Sequence, residues 1–264
     1  MSKASDTINK SRKIVLKIGS NVLTGDDGKI DESIVEDIVD QVSELIKGGK
    51  QVALVSSGAE ASGLGVTGLW SRHGDMNFRQ AMCAVGQVEL MMAYKRCFEK
   101  IDTVVGQILL TWRDFADEQH KLHVRNTLFT LIDEGVVPVI NENDSINVDE
   151  LTLGDNDRLA ALTASLWNAD LLIMMSDIDG LYDRPPGSSG EPTLIHEVED
   201  LEEMKRNIDI SGKSELGTGG MQTKIEAAEE VRKYGMPMLL VNGKQKGVLT
   251  SIKNGTETGT FFHS

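Results

Sequence analysis

The chain has 264 residues, of which 40% are hydrophobic and 26% are charged, as in an ordinary globular protein. Its formal net charge of −14 argues against a nucleic-acid partner, because binding to phosphate backbones needs a basic face. No run of residues approaches the ~20 consecutive apolar residues of a membrane-spanning helix, so we expect no membrane association.

The first eleven residues contain no apolar signal core, and we predict that 1–11 form a flexible arm before a single domain at 12–264. Hydrophobic patterning then predicts a strand at 12–18, an amphipathic helix at 33–47 and a second strand at 51–55. If the two strands share a sheet, such a β-α-β unit makes them parallel.

Polar side chains follow both of these strands. Lys17 lies at the end of the first strand, where it either reaches a phosphate beside the glycine turn or covers the rim of the sheet with its stem. The strand alone favours neither interpretation. Ser56, Ser57 and Gly58 follow the second strand, and they suit a small anionic group or an ordinary turn into a helix.

Residues 63–68 match the glycine pattern G-x-G-x-x-G. The pattern binds dinucleotides when it directly follows a strand and opens a helix. Here residues 56–62 separate the strand from the first glycine, so we reject a dinucleotide-binding domain.

A helix rich in methionine and alanine is predicted at 77–100. Its broad apolar surface indicates burial on two sides or a subunit contact. Cys83 and Cys97 lie in this helix, and we expect them to be free thiols in a reducing cytoplasm. A strand at 103–110 and a helix at 119–134 are predicted next.

The most informative stretch begins with an apolar run at 136–140, which predicts a buried strand. It ends at N-E-N-D (141–144), and a second polar cluster, G-D-N-D (154–157), opens a helix at 157–168. Because ligands bind at the carboxyl edge of an open α/β sheet, these side chains are candidates for holding a small ligand with both an ammonium and a carboxylate group. The alternative is that they only form turns and caps, and for Asp155 we prefer the cap.

A second candidate anion site comes late in the chain. A buried strand at 171–175 is followed by polar residues and then by an irregular surface excursion over 183–217. The sequence G-T-G-G-M-Q-T-K (217–224) then opens a helix at 222–234, and its glycines can turn backbone N–H groups towards a phosphate within reach of Lys224. The alternative is a flexible linker. The last predicted elements are a strand at 238–241, a short helix at 247–253 and a strand at 259–262.

Taken in order, several motifs together resemble the amino acid kinase family, and among its members those that phosphorylate glutamate. The motifs are K-I-G-S-N-V-L-T (17–24), V-S-S-G-A (55–59), V-G-Q (85–87), V-P-V-I-N-E-N-D (137–144), G-D-N-D (154–157), S-D-I-D-G-L-Y (176–182), G-T-G-G-M-Q-T-K (217–224) and G-T-F-F-H (259–263). The resemblance covers nearly the whole chain. It implies an α/β fold, a three-layer α/β/α sandwich around a mostly parallel central sheet of about eight strands. It also implies ATP-dependent phosphorylation of the γ-carboxylate of L-glutamate, the first step of proline biosynthesis.

Carried over by position, the resemblance implies catalytic roles for Lys17, Lys224 and Asp157, with the lysines flanking the transferred phosphoryl group and the aspartate orienting them. It implies that glutamate is held by Ser57, Asp144 and Asn156. The implied nucleotide-binding residues are Lys17, Ser176, Asp177, Thr218, Gly219, Gly220, Met221, Gln222, Thr223 and Lys224. No residue is assigned as a metal ligand, because Mg²⁺ is expected to be held largely by ATP phosphates and water.

The implied cofactors are ATP and Mg²⁺, and the implied substrate is L-glutamate. Proline is the implied feedback inhibitor, with the loop at 145–153 as the candidate sensor. The resemblance further implies a cytoplasmic homo-oligomer, a dimer or tetramer, and channelling of the product to glutamate-5-semialdehyde dehydrogenase. Many bacterial members carry a C-terminal PUA domain, and this chain ends before one.

Two other functions stay open at this stage. One is another amino acid kinase, acting on acetylglutamate, aspartate or a nucleoside monophosphate, although the polar clusters at 141–144 and 154–157 favour free glutamate. The other is a non-catalytic ligand sensor on the same fold. The presence of both Lys17 and Lys224 argues against a sensor.

Overall fold

The structure is a computed structural model, which describes residues 2–25, 27–72, 75–146, 156–184, 191–207, 220–256 and 258–264. Within these ranges the strands are β1 (Lys13–Ile18), β2 (Gln51–Ser56), β3 (Val105–Leu110), β4 (Val137–Glu142), β5 (Leu171–Ser176), β6 (Leu181–Tyr182), β7 (Leu194–Ile195), β8 (Glu197–Val198), β9 (Met238–Asn242) and β10 (Thr260–Phe262). The helices are α1 (Lys3–Lys10), α2 (Ser20–Leu23), α3 (Glu32–Lys47), α4 (Ala59–Thr67), α5 (Met76–Glu99), α6 (Trp112–Ala116), α7 (Glu118–Asp133), α8 (Asn156–Trp167), α9 (Leu201–Asn207), α10 (Met221–Arg232) and α11 (Val248–Lys253).

Eight of the described strands form one sheet, in the order β3-β4-β2-β1-β5-β9-β10-β8. Neighbouring strands are parallel except for β9 and β10, which are antiparallel. Seven of the eight were predicted from apolar runs. The eighth, β8, has two residues, too few for a recognisable pattern. The predicted α/β sandwich with a mostly parallel sheet of about eight strands is confirmed.

Helices cover the sheet on both faces, which is why its strands are continuous apolar runs. In β1, Ile14 and Leu16 join the core that includes side chains of α3 and α5, whereas Val15 joins the core that includes side chains of α8 and α10. Successive side chains of a strand point to opposite faces, so Lys17 shares the face of Val15. The strand therefore delivers Lys17 to the layer that contains α8 and α10.

The segment predicted to be a flexible N-terminal arm instead contains a packed helix, α1. Ile8 is fully buried in the core beside α11, and Oγ of Ser5 donates a hydrogen bond to the carbonyl oxygen of Lys253 at 3.0 Å. The prediction was wrong because one large apolar side chain, Ile8, anchors this helix. Its packing partners lie at the other end of the chain and could not be read locally.

The glycine pattern at 63–68 lies mostly within α4 and serves helix packing. A Cβ atom on Gly63 would collide with the backbone of Met82 in α5, and one on Gly86 would collide with the backbone of Ala59 in α4. The two helices therefore cross with their backbones in contact. Gly68 ends α4 in the left-handed conformation, with φ of 70°. This geometry explains the pattern without a dinucleotide.

The long helix α5 carries both cysteines, Cys83 and Cys97. They are free, as predicted, and the structure shows that they are also buried. Burial raises the pKa of both thiols, so they stay protonated at neutral pH. At 24 residues α5 is long, but its surface is too polar for a bilayer. Across the described ranges, none of the helices combines the length and the hydropathy that crossing a membrane requires.

Candidate active site

Polar and charged side chains gather at the carboxyl edge of the parallel strands. β1 carries Lys17 near this edge, β4 ends with Asn141 and Glu142, and β5 ends with Ser176. Helices α8 and α10 begin here, with Asp157 in the first turn of α8 and Lys224 in the first turn of α10. This is the edge at which open α/β sheets bind ligands.

The centre of this edge is an ion cluster of Lys17, Asp157 and Lys224. Nζ of Lys17 lies 2.5 Å from Oδ1 of Asp157, and Nζ of Lys224 lies 3.2 Å from Oδ2 of the same carboxylate. The Asp157 side chain is 0% exposed and the two lysine side chains are 9% and 6% exposed. Two lysines far apart in the chain therefore meet on one buried carboxylate.

Burial by itself raises the pKa of Asp157. The positive charges of Lys17 and Lys224 and the hydrogen bonds from Lys17 and Thr223 outweigh burial, and they hold the pKa of this carboxyl well below its ordinary value. Asp157 is therefore ionised at neutral pH. Two ammonium groups and one carboxylate leave the cluster with one net positive charge, which attracts an anion.

The N-terminus of α10 adds to this positive potential. Gly220 at its N-cap position makes no side-chain capping hydrogen bond. Oγ1 of Thr223 lies 2.9 Å from Oδ2 of Asp157 and 2.8 Å from the carbonyl oxygen of Gly220, and it donates to one of them at a time. The first N–H groups of a helix without a capping side chain favour an anionic ligand.

A chain of amide hydrogen bonds lies beside the ion cluster. Nδ2 of Asn156 donates to Oγ of Ser57 at 2.8 Å and to Oδ1 of Asn141 at 2.9 Å. Nδ2 of Asn141 donates in turn to Oε1 of Gln87 at 2.8 Å. The chain links the turn after β2, the end of β4, the start of α8 and the middle of α5. Its members fix the orientation of one another's polar groups.

Asp144 follows β4 and lies near α5. The pKa of Arg79 is raised mainly by its hydrogen bonds to Glu60 and more weakly by the charge of Asp144. The pKa of Cys83 is raised first by burial and then by the same carboxylate. Positions 79, 83 and 87 are spaced by four and share one face of α5. The charge of Asp144 therefore acts on residues of the α5 face that also carries Gln87.

Ser176 and Asp177 continue the site on the other side of β1. Asp177 accepts hydrogen bonds from Nδ2 of Asn21 at 2.9 Å and from Oγ of Ser176 at 3.2 Å. Burial alone would raise the pKa of Asp177, but these hydrogen bonds and the charge of Lys224 lower it. An ionised Asp177 is therefore held within electrostatic range of Lys224.

The structure does not bring every predicted site residue into this group. Met221 packs, partly buried, against the core, and the exposed Gln222 donates from Nε2 to Oε1 of Glu226 at 2.8 Å. Thr218 and Gly219 lie outside the described residues, as does most of the candidate proline loop at 145–153. The residues that do converge are Lys17, Ser57, Asn156, Asp157, Ser176, Asp177, Thr223 and Lys224.

One residue of the site, Gln87, was not assigned a role from the sequence, whereas Asn141 was among the polar side chains of 141–144 considered for holding a small ligand. Both lie inside motifs that resemble the kinase family, V-G-Q at 85–87 and N-E-N-D at 141–144. The motif V-G-Q lies on a helix that is distant in sequence from the predicted site residues, so nothing in the sequence indicated that Gln87 belongs to the site. Only the crossing of α4 and α5 brings it to the edge of the sheet.

One group of side chains in the described ranges has the spacing to share a metal ion. It comprises Glu197, Glu199 and His263. Because β8 and β10 run opposite to the other strands, this group lies at the amino edge, away from Lys17 and Lys224. It is not positioned to hold the metal of a phosphoryl-transfer reaction at the ion cluster.

The sequence matches the amino acid kinase family over residues 12–242. It is 50% identical to the glutamate 5-kinase of Alkaliphilus metalliredigens, over 98% of this chain and 98% of that protein. It is 44% identical to the glutamate 5-kinase of Syntrophotalea carbinolica, over 97% of this chain and 69% of that longer protein. Among solved structures, UMP kinase from Ureaplasma parvum covers 97% of this chain with a TM-score of 0.65 and 15% identity, which shows a shared fold. The chain belongs to the amino acid kinase family, and within it to the glutamate 5-kinases.

Proposed function

We propose that this protein transfers the γ-phosphoryl group of ATP to the γ-carboxylate of L-glutamate, giving ADP and L-glutamyl 5-phosphate. The observation that carries the proposal is the convergence of Lys17 and Lys224 on Asp157 at the carboxyl edge of the sheet. Positive charge at that point is what a phosphoryl group needs between donor and acceptor. The relatives named glutamate 5-kinase, 42–50% identical over nearly the whole chain, support glutamate as the acceptor.

The chemistry needs little from the protein beyond charge and alignment. A carboxylate is already ionised at neutral pH, so no side chain has to remove a proton from it. An oxygen of the γ-carboxylate forms a bond to the γ-phosphorus, and the bond between that phosphorus and the bridging oxygen of ADP breaks. The two lysines reduce the repulsion between the anions and stabilise the charge on the transferred group.

Asp157 acts by positioning the lysines. Because each of its oxygens holds a different ammonium group, it sets the separation between Lys17 and Lys224 and limits their mutual repulsion. Its own negative charge is fully buried and is balanced by the two ammonium groups. The net charge offered to the phosphoryl group therefore stays positive.

Ser57, Asn156 and Asp144 are proposed to hold glutamate. Ser57 and Asn156 are hydrogen-bonded to each other at 2.8 Å, and Asn156 directly precedes Asp157, so an acceptor bound by this pair lies next to the lysines. Asp144 provides a negative charge for the ammonium group of the substrate. The effect of this charge on the pKa values of Arg79 and Cys83 in α5 supports the assignment.

The site fits MgATP as the phosphoryl donor. Three positively polarised or polar groups lie at the carboxyl edge of the sheet. They are the net positive ion cluster, the N-terminus of α10, and the pair Ser176 and Asp177. Bound Mg²⁺ would neutralise charge on the ATP phosphates, which supply most of its ligands together with water. Gly220 and Thr223 belong to the nucleotide side of the site in this proposal.

A coupled assay for ADP release tests the proposed function. With MgATP, we expect turnover with L-glutamate and much less with acetylglutamate, aspartate or UMP. Trapping the acyl phosphate with hydroxylamine identifies the product. ADP release with another acceptor and none with glutamate would reassign the substrate, and binding without any turnover would make the protein a sensor.

Three further properties are part of the proposal. Proline is expected to inhibit at millimolar concentration, and the labile acyl phosphate is expected to pass to glutamate-5-semialdehyde dehydrogenase in the cytoplasm.

The chain is also proposed to form a homodimer or tetramer, because Val85, Val88 and Met92 form an exposed apolar stripe on α5. Light scattering of the wild type and of Val88→Glu tests the assembly, and a monomeric wild type would exclude it.

A further inference from the structure

In the described part of the chain, only one of the two polar atoms of the Gln87 side-chain amide has a hydrogen-bond partner. Its Oε1 accepts a hydrogen bond from Nδ2 of Asn141 at 2.8 Å, whereas its Nε2 is buried and has no hydrogen-bond partner among the residues that the structure describes. A buried N–H donor without an acceptor is unfavourable, and native proteins keep few of them. An unpaired donor at a binding site points to an acceptor on the ligand.

The orientation of this amide follows from its neighbours. Oδ1 of Asn141 accepts from the backbone N–H of Glu142 at 2.8 Å, which forces Nδ2 of Asn141 to face Gln87. If the Gln87 amide were turned over, two N–H donors would face each other. Among the described residues, Nε2 of Gln87 is therefore the group of this amide that has no hydrogen-bond partner.

The neighbouring glycine explains how α5 brings Gln87 to the site. Gly86 lies against the carbonyl oxygen of Ala59, at the start of α4, so closely that no side chain fits between them. Ala59 comes two residues after Ser57. The V-G-Q motif thus combines a glycine that permits the helix crossing with a glutamine that the crossing delivers to the polar network.

The position of Gln87 in the network indicates which end of a substrate it meets. The hydrogen bonds run from Asn156, next to the lysine cluster, through Asn141 to Gln87. Gln87 is therefore two hydrogen bonds away from Asn156, the residue that precedes Asp157. It lies on the face of α5 that carries Arg79 and Cys83, the two residues whose pKa values the charge of Asp144 affects. An amino acid that presents its γ-carboxylate to the lysines has its ammonium and α-carboxylate groups at this distal end.

We propose that Gln87 determines acceptor specificity by donating a hydrogen bond from Nε2 to the α-carboxylate of the substrate. This inference rests on the proposed function. Asp144 then recognises the ammonium group and Gln87 the carboxylate of the same α-carbon. Together they select a free α-amino acid over a molecule that has only the reacting carboxylate.

Two variants separate substrate binding from a structural role. Gln87→Met removes both halves of the amide at similar volume. Gln87→Glu keeps an oxygen that accepts the hydrogen bond from Asn141, but it replaces the N–H donor Nε2 by a negatively charged oxygen. The assay is run at pH 8.5, so that the introduced carboxyl group is ionised. We expect Gln87→Met to raise KM for glutamate roughly 10- to 100-fold, as for a lost hydrogen bond to a charged group, with KM for ATP unchanged. Gln87→Glu should raise KM for glutamate at least as much.

The matched control is Gln41→Met. Gln41 is a buried glutamine that bridges Asp37 and the N–H of Leu249, so its loss should lower the melting temperature and leave both KM values unchanged. If Gln87 were only structural, Gln87→Glu would retain near-wild-type KM and Gln87→Met alone would be impaired, which would overturn the inference. Failure of the wild type to phosphorylate glutamate would instead refute the proposed function itself.

Discussion

The buried carboxylate of Asp157 gives the most stringent test of the ion cluster. Asp157→Asn keeps the side-chain volume and removes the negative charge between Lys17 and Lys224. At the observed separations of 2.5 and 3.2 Å, and with an effective dielectric constant near 20, each ion pair contributes on the order of 5 kcal/mol of Coulomb energy before desolvation. Removing one partner of a buried pair costs about 3–5 kcal/mol net, because the remaining charge stays buried without compensation.

For a protein of this size, we expect a fall in melting temperature of roughly 5–10 °C, measured by calorimetry or differential scanning fluorimetry. The double variant Lys17→Met/Asp157→Asn is the matched control. It leaves one buried ammonium group instead of two, so it should be more stable than the sum of the two single variants predicts. A melting temperature of Asp157→Asn within about 2 °C of the wild type would refute the reasoning.

The pH dependence of stability follows from the sign of the pKa shift. The pKa of Asp157 is lower in the folded protein than in the unfolded chain, so its contribution to stability is fully present above the unfolded value of about 4. It is lost as the pH falls through the folded value. The stability difference between the wild type and Asp157→Asn should therefore be constant from neutral pH down to about pH 5 and should shrink in stronger acid.

Three further substitutions test other parts of the site and the fold. Lys17→Ala and Lys224→Ala should each lower kcat by at least about 100-fold in the ADP-release assay, since each removes charge stabilisation of the transition state, and near-wild-type turnover in both would exclude the mechanism. Asp144→Ala should mainly raise KM for glutamate; a change confined to KM for ATP would mean that the two pockets are assigned the wrong way round. Gly86→Ala should destabilise the protein by about 1–3 kcal/mol in urea titration, because its methyl group would collide with the backbone of α4. Gly220→Ala is the control, since a methyl group there meets no described residue within 4 Å, and equal destabilisation of both variants would contradict the packing argument.

The sequence by itself determined the order of seven of the eight strands of the main sheet, the order of the longer helices and the family. Long apolar runs at 136–140 and 171–175 are buried on both faces, so their hydrophobicity alone marks them as central strands. The amphipathic period of 33–47 likewise marks a helix that covers one face. Motifs in a fixed order then identified the family without reference to any contact.

Only the tertiary structure decided which side chains meet. The packing of the N-terminal helix and the pairing of the two-residue strand β8 depend on partners distant in sequence, so no local pattern could predict them. Lys17 and Lys224 can share Asp157 because β1, α8 and α10 place their ends at one edge of the sheet. Gln87 enters the site because two glycines let α4 and α5 cross in backbone contact, and a backbone approach of this kind leaves no signature in periodicity or charge.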